Sequence, residues 1–297
     1  MRYSRSVGDI ADALRQAVAD GEAPIGRSRD RGNGHPTVRV VPSPQAEPEW
    51  VETKIPTSRD DGWRSRAVWL AGQEGFAESF RHLALRVRGA CEQRRTASVL
   101  ITSAVAQEGK TLTACNLALG LASMETSGRI ALVELDLRAP RVAASLGIDP
   151  PTGFERVLTG DAPLTSAAVH TEASLDVYAV AEPVRDAHEV LVRPSVAESL
   201  DQLTSRYSFV VCDTPPVLPV PDVELLLPHV GACCVVVRSG RTSRSALTDL
   251  VDRLPRHKLI GCFLNDARVP RHVRDYYTLS DGRGRSRSAR GAHRVAP

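Results

Sequence analysis

The stretch SVLITSAVAQEGKTLTACNLALGLA, residues 98–122, decides the fold. Its opening SVLITS reads as a strand buried on both faces. Its close places Ala114, Leu117, Ala118, Leu121 and Ala122 on one face of a helix that begins near Lys110. The loop between them therefore receives the unpaired N–H groups and the positive dipole end of that helix. Lys110 is placed to reach phosphate oxygens, and the Thr111 hydroxyl to ligate Mg2+. A phosphate-bearing ligand would lie along Glu108, Gly109, Lys110, Thr111 and Leu112. The spacing G-x-x-x-x-G-K-[ST] is only partly met, because Ala104 fills its first position. Taken alone, EGKT also fits an ordinary turn carrying a surface lysine.

Working outward, strands and helices alternate. Strands are predicted at 98–103, 129–136, 175–180, 208–213, 232–238 and 258–265, and helices at 111–123, 194–205, 222–229 and 242–254. A further helical pattern runs through 67–90. Near-continuous apolar strands separated by helices mean a doubly wound α/β fold, a mostly parallel sheet with helices on both faces. Ligands of such sheets bind outside the carboxyl ends of the strands. Two carboxylate sites fall at such ends. In ALVELDLRAPRV, 131–142, an apolar strand runs into Glu134 and Asp136, which as i and i+2 would share one strand face, with Arg138 after them. Paired acids there call for a cation, or else mark a solvated strand end. In YSFVVCDTPPVLPVPD, 207–222, hydrophobic residues lead to Asp213, and Pro215 and Pro216 stiffen the loop beyond.

Composition narrows the class. Of 297 residues 42% are hydrophobic, enough for a sizeable core. The net charge is +3, but the last 17 residues carry +4, so the remaining 280 sum to −1 and no nucleic-acid partner is expected. The six cysteines form no C-x-x-C pair and sit mostly in apolar runs, as buried thiols of a reducing cytoplasm do. No membrane span or signal peptide is read. The expected organisation is a short amphipathic helix within 1–20, a Pro/Gly/Arg linker at 21–62, the α/β domain at 63–280 and a basic tail at 281–297. The helix, with Ile10, Ala13, Leu14, Ala17 and Val18 on one stripe, docks on a partner or on the body, or has no role.

In this order SAVAQEGKT, LVELDLRAP and VVCDTPP resemble the bacterial tyrosine kinases (BY-kinases) of capsule and exopolysaccharide systems, which are deviant P-loop ATPases. The likeness spans roughly residues 75–280 and continues through GFERVLTGDAPL, RSGRTSRSAL and IGCFLNDA. It implies an autophosphorylating kinase using ATP and Mg2+. In its terms Lys110 is the phosphate lysine, Thr111 a metal ligand, Glu134 and Asp136 the acids beside the reaction, and Asp213 the Walker B acid. Asp136 and Asp213 join Thr111 as metal ligands, and Asn265 is similar to an asparagine that reads the adenine edge. It also implies a separate transmembrane activator or polysaccharide co-polymerase, hence a cytoplasmic protein held at the inner membrane by that partner. Homo-oligomers are implied by AESFRHLALRVR, where Glu78 and Arg81 match the family spacing and Ala84 replaces its second arginine.

Two further positions depart from the family. Gln107 stands for a glycine, which requires that the backbone there avoid positive φ and that residue 107 act through its backbone alone. Glu134 stands for an aspartate. Tyr276 and Tyr277 are either acceptors of phosphate or a packing anchor. Two other functions stay open: a non-catalytic, nucleotide-binding regulator of the same family, and a Min/Par-type partitioning switch. The latter lacks its characteristic lysine, since Val105 occupies that position.

Overall fold

A computed structural model of the chain describes residues 74–267, with side chains from Ala77 onward. The segments 1–20 and 21–62, the start of the 67–90 helix, Tyr276, Tyr277 and the basic tail lie outside the described residues. The described elements belong to a compact unit that ends at Asn265. They run α1 (Glu74–Gln93), β1 (Ser98–Ser103), α2 (Lys110–Ala122), β2 (Ile130–Glu134), α3 (Val142–Leu146), α4 (Phe154–Thr159), β3 (Val169–His170), β4 (Leu175–Tyr178), α5 (Ala187–Leu191), α6 (Pro194–Arg206), β5 (Phe209–Asp213), α7 (Asp222–Leu226), β6 (Ala232–Arg238), α8 (Arg244–Arg253) and β7 (Leu259–Asn265).

The seven strands form one sheet in the order β3-β4-β2-β5-β1-β6-β7, parallel except for β3. The doubly wound reading of the sequence therefore stands. β1, β2, β4 and β5 are buried along their whole length, which is why they read as unbroken apolar runs. Two cores flank the sheet. One includes Val87 of α1 and Leu117 and Leu121 of α2; the other includes Phe154 of α4, Leu200 and Leu203 of α6 and Leu250 of α8.

The order of strands sets the site. β1 lies between β5 and β6, so the loop leaving its carboxyl end has β5 and β2 on one side and β6 and β7 on the other. α1 crosses α2 closely: a Cβ added at Gly120 would stand 3.3 Å from that of Ala84, which is fully buried. Position 84 is thus a packing position, with no room for the arginine of the family spacing. Glu78 and Arg81 do pair, at 2.8 Å on the exposed face of α1. No described helix is long and apolar enough to cross a membrane.

Candidate functional site

The loop 104–109 delivers its residues to the site through two left-handed backbone positions. Gly109 has φ 95°, and a Cβ there would collide with the Asn265 amide nitrogen, so both conformation and space require glycine. Gln107 has φ 64°. This corrects the expectation that a side chain at 107 requires negative φ: the backbone adopts the left-handed region with glutamine in place. Alternation of this kind turns successive N–H groups inward as an anion cradle. Beneath it, Glu108 is fully buried; its carboxylate accepts from Val105 N (3.0 Å) and from the Thr242 hydroxyl.

Lys110 opens α2 and is 8% exposed. Its ammonium lies close enough to Asp136 and Asp213 to pull both carboxyl pKa values down, against the larger effect of burial, which raises them. Asp213 closes β5 with both carboxylate oxygens buried and no hydrogen-bond partner among the described residues. The Thr111 hydroxyl is near enough to lower its pKa, yet makes no hydrogen bond of normal geometry to it. Burial still pushes the group up to about 8. The structure therefore brings Lys110, Thr111, Asp136 and Asp213 together at the carboxyl ends of β1, β2 and β5. Leu112 is half-buried in the first turn of α2.

Glu134 is placed differently from the sequence expectation. β2 ends at Glu134, so Asp136 lies beyond the strand and the shared-face argument does not apply. The Glu134 carboxylate turns into the protein. One oxygen accepts from Arg141 N (2.5 Å) and Val142 N (2.8 Å), the other from Val180 N (2.9 Å). Burial holds its pKa at about 7, with these three N–H groups pulling the other way. The side chain thus ties the start of α3 to the end of β4. Asp136 accepts from Ala139 N (3.2 Å), and its pKa is raised chiefly by burial.

Four contributors escaped the sequence reading. Asp222, 1% exposed, grips Arg138 through two hydrogen bonds of 2.8 and 3.1 Å, fixing the guanidinium beside Asp136. Thr242 anchors the β6–α8 loop on Glu108 while accepting from Arg238 N (2.9 Å). Arg238 and Arg241 reach Gln107, at its carbonyl (3.2 Å) and its side-chain oxygen (3.1 Å). Residue 107 therefore does not act through its backbone alone. Asn265 donates its amide to the Glu108 carbonyl (2.9 Å), which places it at the loop. The signals were present in VPD and RSGRTS, but their partners lie 84 and 134 residues away.

The donor set fits a divalent cation shared with a phosphate ligand. Asp213 is a buried acid whose carboxylate has no hydrogen-bond partner among the described residues, next to a hydroxyl and an ammonium. No group of three His, Cys, Asp or Glu among the described residues is arranged to hold a metal unaided. A site completed by phosphate oxygens and water has that character.

No protein-family model matches the chain. Among curated proteins it is 28% identical over 209 residues to the tyrosine-protein kinase YwqD of Bacillus subtilis, a match covering 69% of this chain and 87% of that one. It is 29% identical over 227 residues to the succinoglycan biosynthesis transport protein ExoP of Rhizobium meliloti, covering 73% of this chain and 28% of ExoP. Against the tyrosine-protein kinase ptk of Acinetobacter johnsonii the identity is 27%, over 64% of this chain and 26% of ptk. The chain thus spans about a quarter of the latter two relatives. Of solved structures, the VpsO kinase domain is 28% identical with a TM-score of 0.59, over 66% of this chain and 97% of that domain. The BceF tyrosine kinase domain shares the fold at 24% identity and a TM-score of 0.62, over 69% of this chain and 84% of that one.

Proposed function

We propose that this chain, which belongs to the bacterial tyrosine-kinase (BY-kinase) family, is an ATP- and Mg2+-dependent kinase that phosphorylates its own Tyr276 and Tyr277 and regulates polysaccharide synthesis or export. The observation that carries the reading is the unpartnered, buried Asp213 beside Thr111 and Lys110. A buried carboxylate left without donors is costly, and a cation offsets that cost. Thr111 and Asp213 would hold the metal, with Asp136 alongside. Bound there, Mg2+ would neutralise charge on the phosphates.

The chain's own residues do the rest. The cradle N–H groups and Lys110 bind and orient the phosphates. Asp136, close to Lys110 and raised in pKa by burial, accepts the proton of an acceptor tyrosine hydroxyl. Arg138, held by Asp222, lies beside Asp136 and favours its ionised form before the proton arrives. Glu134 positions the Asp136 loop through its three backbone contacts and does not react. Asn265 lies toward the adenine edge. A separate transmembrane activator, or a polysaccharide co-polymerase, completes the active state and holds the chain at the cytoplasmic face of the inner membrane; copies of the chain associate there. ExoP, by its name a succinoglycan biosynthesis transport protein, supports the polysaccharide setting.

The test is a phosphotyrosine blot of the purified chain with ATP and Mg2+, with and without an activator tail, against Lys110→Met. Label on the wild type alone supports the kinase. A second reading has its own observation: Gln107 and Glu134 replace the glycine and aspartate of the family motifs, and Glu134 is turned inward. It makes the chain a nucleotide-binding regulator without transfer. Nucleotide binding with no label, even with the activator supplied, selects that reading.

A further inference from the structure

We propose that the Gln107 side chain, where the family has glycine, positions Arg241 as a platform for the nucleobase at the end of the site away from the acids. The inference rests on the nucleotide reading above. The site is polarised across β1. Asp136 and Asp213 follow β2 and β5 on one side, and the neighbouring Lys110 bears on both. On the other side β6 and β7 end in Arg238 and Asn265. The phosphates and their cation belong with the acids and the lysine. A nucleotide laid across the loop then places its uncharged end over β6 and β7.

What waits there is a built corner. The 239–243 segment is fixed at both ends, by Ser239 N on the Asn265 carbonyl (2.9 Å) and by the Thr242 hydroxyl on buried Glu108. Arg238 bonds the Gln107 carbonyl, and Arg241 bonds the Gln107 side-chain oxygen at 3.1 Å. Arg241 is exposed, so its guanidinium plane is open to a ligand while one edge is tethered. A planar, weakly hydrated guanidinium stacks on aromatic faces, a contact an ammonium reproduces poorly. The tether spares the long side chain part of its rotamer loss on binding. A glycine at 107 offers no such tether.

The experiment titrates ATP, ADP and inorganic tripolyphosphate, each with Mg2+, into the wild-type chain, Arg241→Ala, Arg241→Lys, Gln107→Gly and Lys110→Ala. Arg241→Ala is expected to weaken ATP and ADP alike, about fivefold, and to leave tripolyphosphate within twofold. Gln107→Gly shows the same split at about twofold, and Arg241→Lys does not restore the loss. Lys110→Ala weakens all three ligands. Equal loss of tripolyphosphate in Arg241→Ala would make Arg241 a phosphate ligand and overturn the assignment, as would unchanged binding of ATP. A wild-type chain that binds tripolyphosphate but gains nothing from the nucleoside overturns the platform alone. One that binds none of the three overturns the nucleotide reading with it. Arg241 is exposed, so the variants fold; circular dichroism confirms it.

Discussion

Glu134 and Asp213 close neighbouring parallel strands, face each other in register and are both fully buried, yet they are wired in opposite ways. Glu134 receives three backbone N–H groups from two other parts of the chain. The Asp213 carboxylate receives no hydrogen bond of normal geometry among the described residues, and the Leu135 N–H beside it binds the Asp213 backbone carbonyl instead. Burial raises both acids, to about 7 and about 8. The contrast separates two uses of a buried charge. One is a rivet, satisfied by the fold itself. The other has no donor among the described residues, as suits an acid that meets a ligand. Position at the end of a strand says where an acid is; its donors say what it is for.

The largest expected effect breaks the rivet. Glu134→Ala strands three N–H groups at about 1–3 kcal/mol each when no water replaces the lost oxygen. The sum is about 3–5 kcal/mol after relaxation, a fall in melting temperature of roughly 10 °C or more for a domain this size. Asp213→Asn goes the other way. Without nucleotide at pH 7.5 it should stabilise the chain by about 1–3 kcal/mol, because an amide removes the cost of holding a proton on an acid that the unfolded chain leaves ionised. Urea melts of both variants measure the pair. If both destabilise alike, the two acids are not wired differently.

Smaller in size is the pH dependence. An acid whose folded pKa lies above its unfolded value keeps a proton that the unfolded chain has released. Stability is therefore lost as pH rises from the unfolded value toward the folded one. For Glu134 the window runs from 4.5 to about 7, and for Asp213 from 3.8 to about 8. Each group contributes at most about 1.4 kcal/mol per pH unit within its window. Subtracting the Asp213→Asn curve from the wild-type curve isolates Asp213. The difference should grow up to about pH 8 and then level, and Mg2+ with ATP should shrink it. A flat difference would remove Asp213 from the unsatisfied class.

Much of this was legible in the sequence, for physical reasons. Strands buried on both faces leave unbroken apolar runs, so six of the seven strands were placed. β3 was missed because two antiparallel residues leave no pattern. α3, α4 and α5 were missed because five or six residues do not complete two helical turns, whereas the equally short α7 is lengthened by a further turn at Leu227–His229. Lys110, Thr111 and Asp213 lie together as read because a strand end or a helix start fixes where such side chains go. Glu134 was misplaced because direction depends on the last strand residue, and β2 stops one step before the alternation would matter. Asp222 and Arg241 act through partners far along the chain, which periodicity cannot register.

The smallest expected effect concerns Gln107, the other residue whose polar atoms the fold has already taken. A non-glycine residue in the left-handed region costs about 1–2 kcal/mol, and glycine removes that cost. Glycine also widens the unfolded ensemble by roughly 0.5–1 kcal/mol. It deletes the exposed contact with Arg241 as well, which at an exposed site is worth about 0.5 kcal/mol. These terms nearly cancel, so Gln107→Gly should move the melting temperature by no more than about 2 °C, upward. The Gln107 carbonyl keeps its bond to Arg238 in either variant, since it belongs to the backbone. Differential scanning calorimetry without nucleotide decides the sign. A fall of 5 °C or more would mean that the Gln107–Arg241 contact carries far more than an exposed hydrogen bond. Residue 107 would then stand with Glu134 as a rivet of the fold, and not as a device for the ligand.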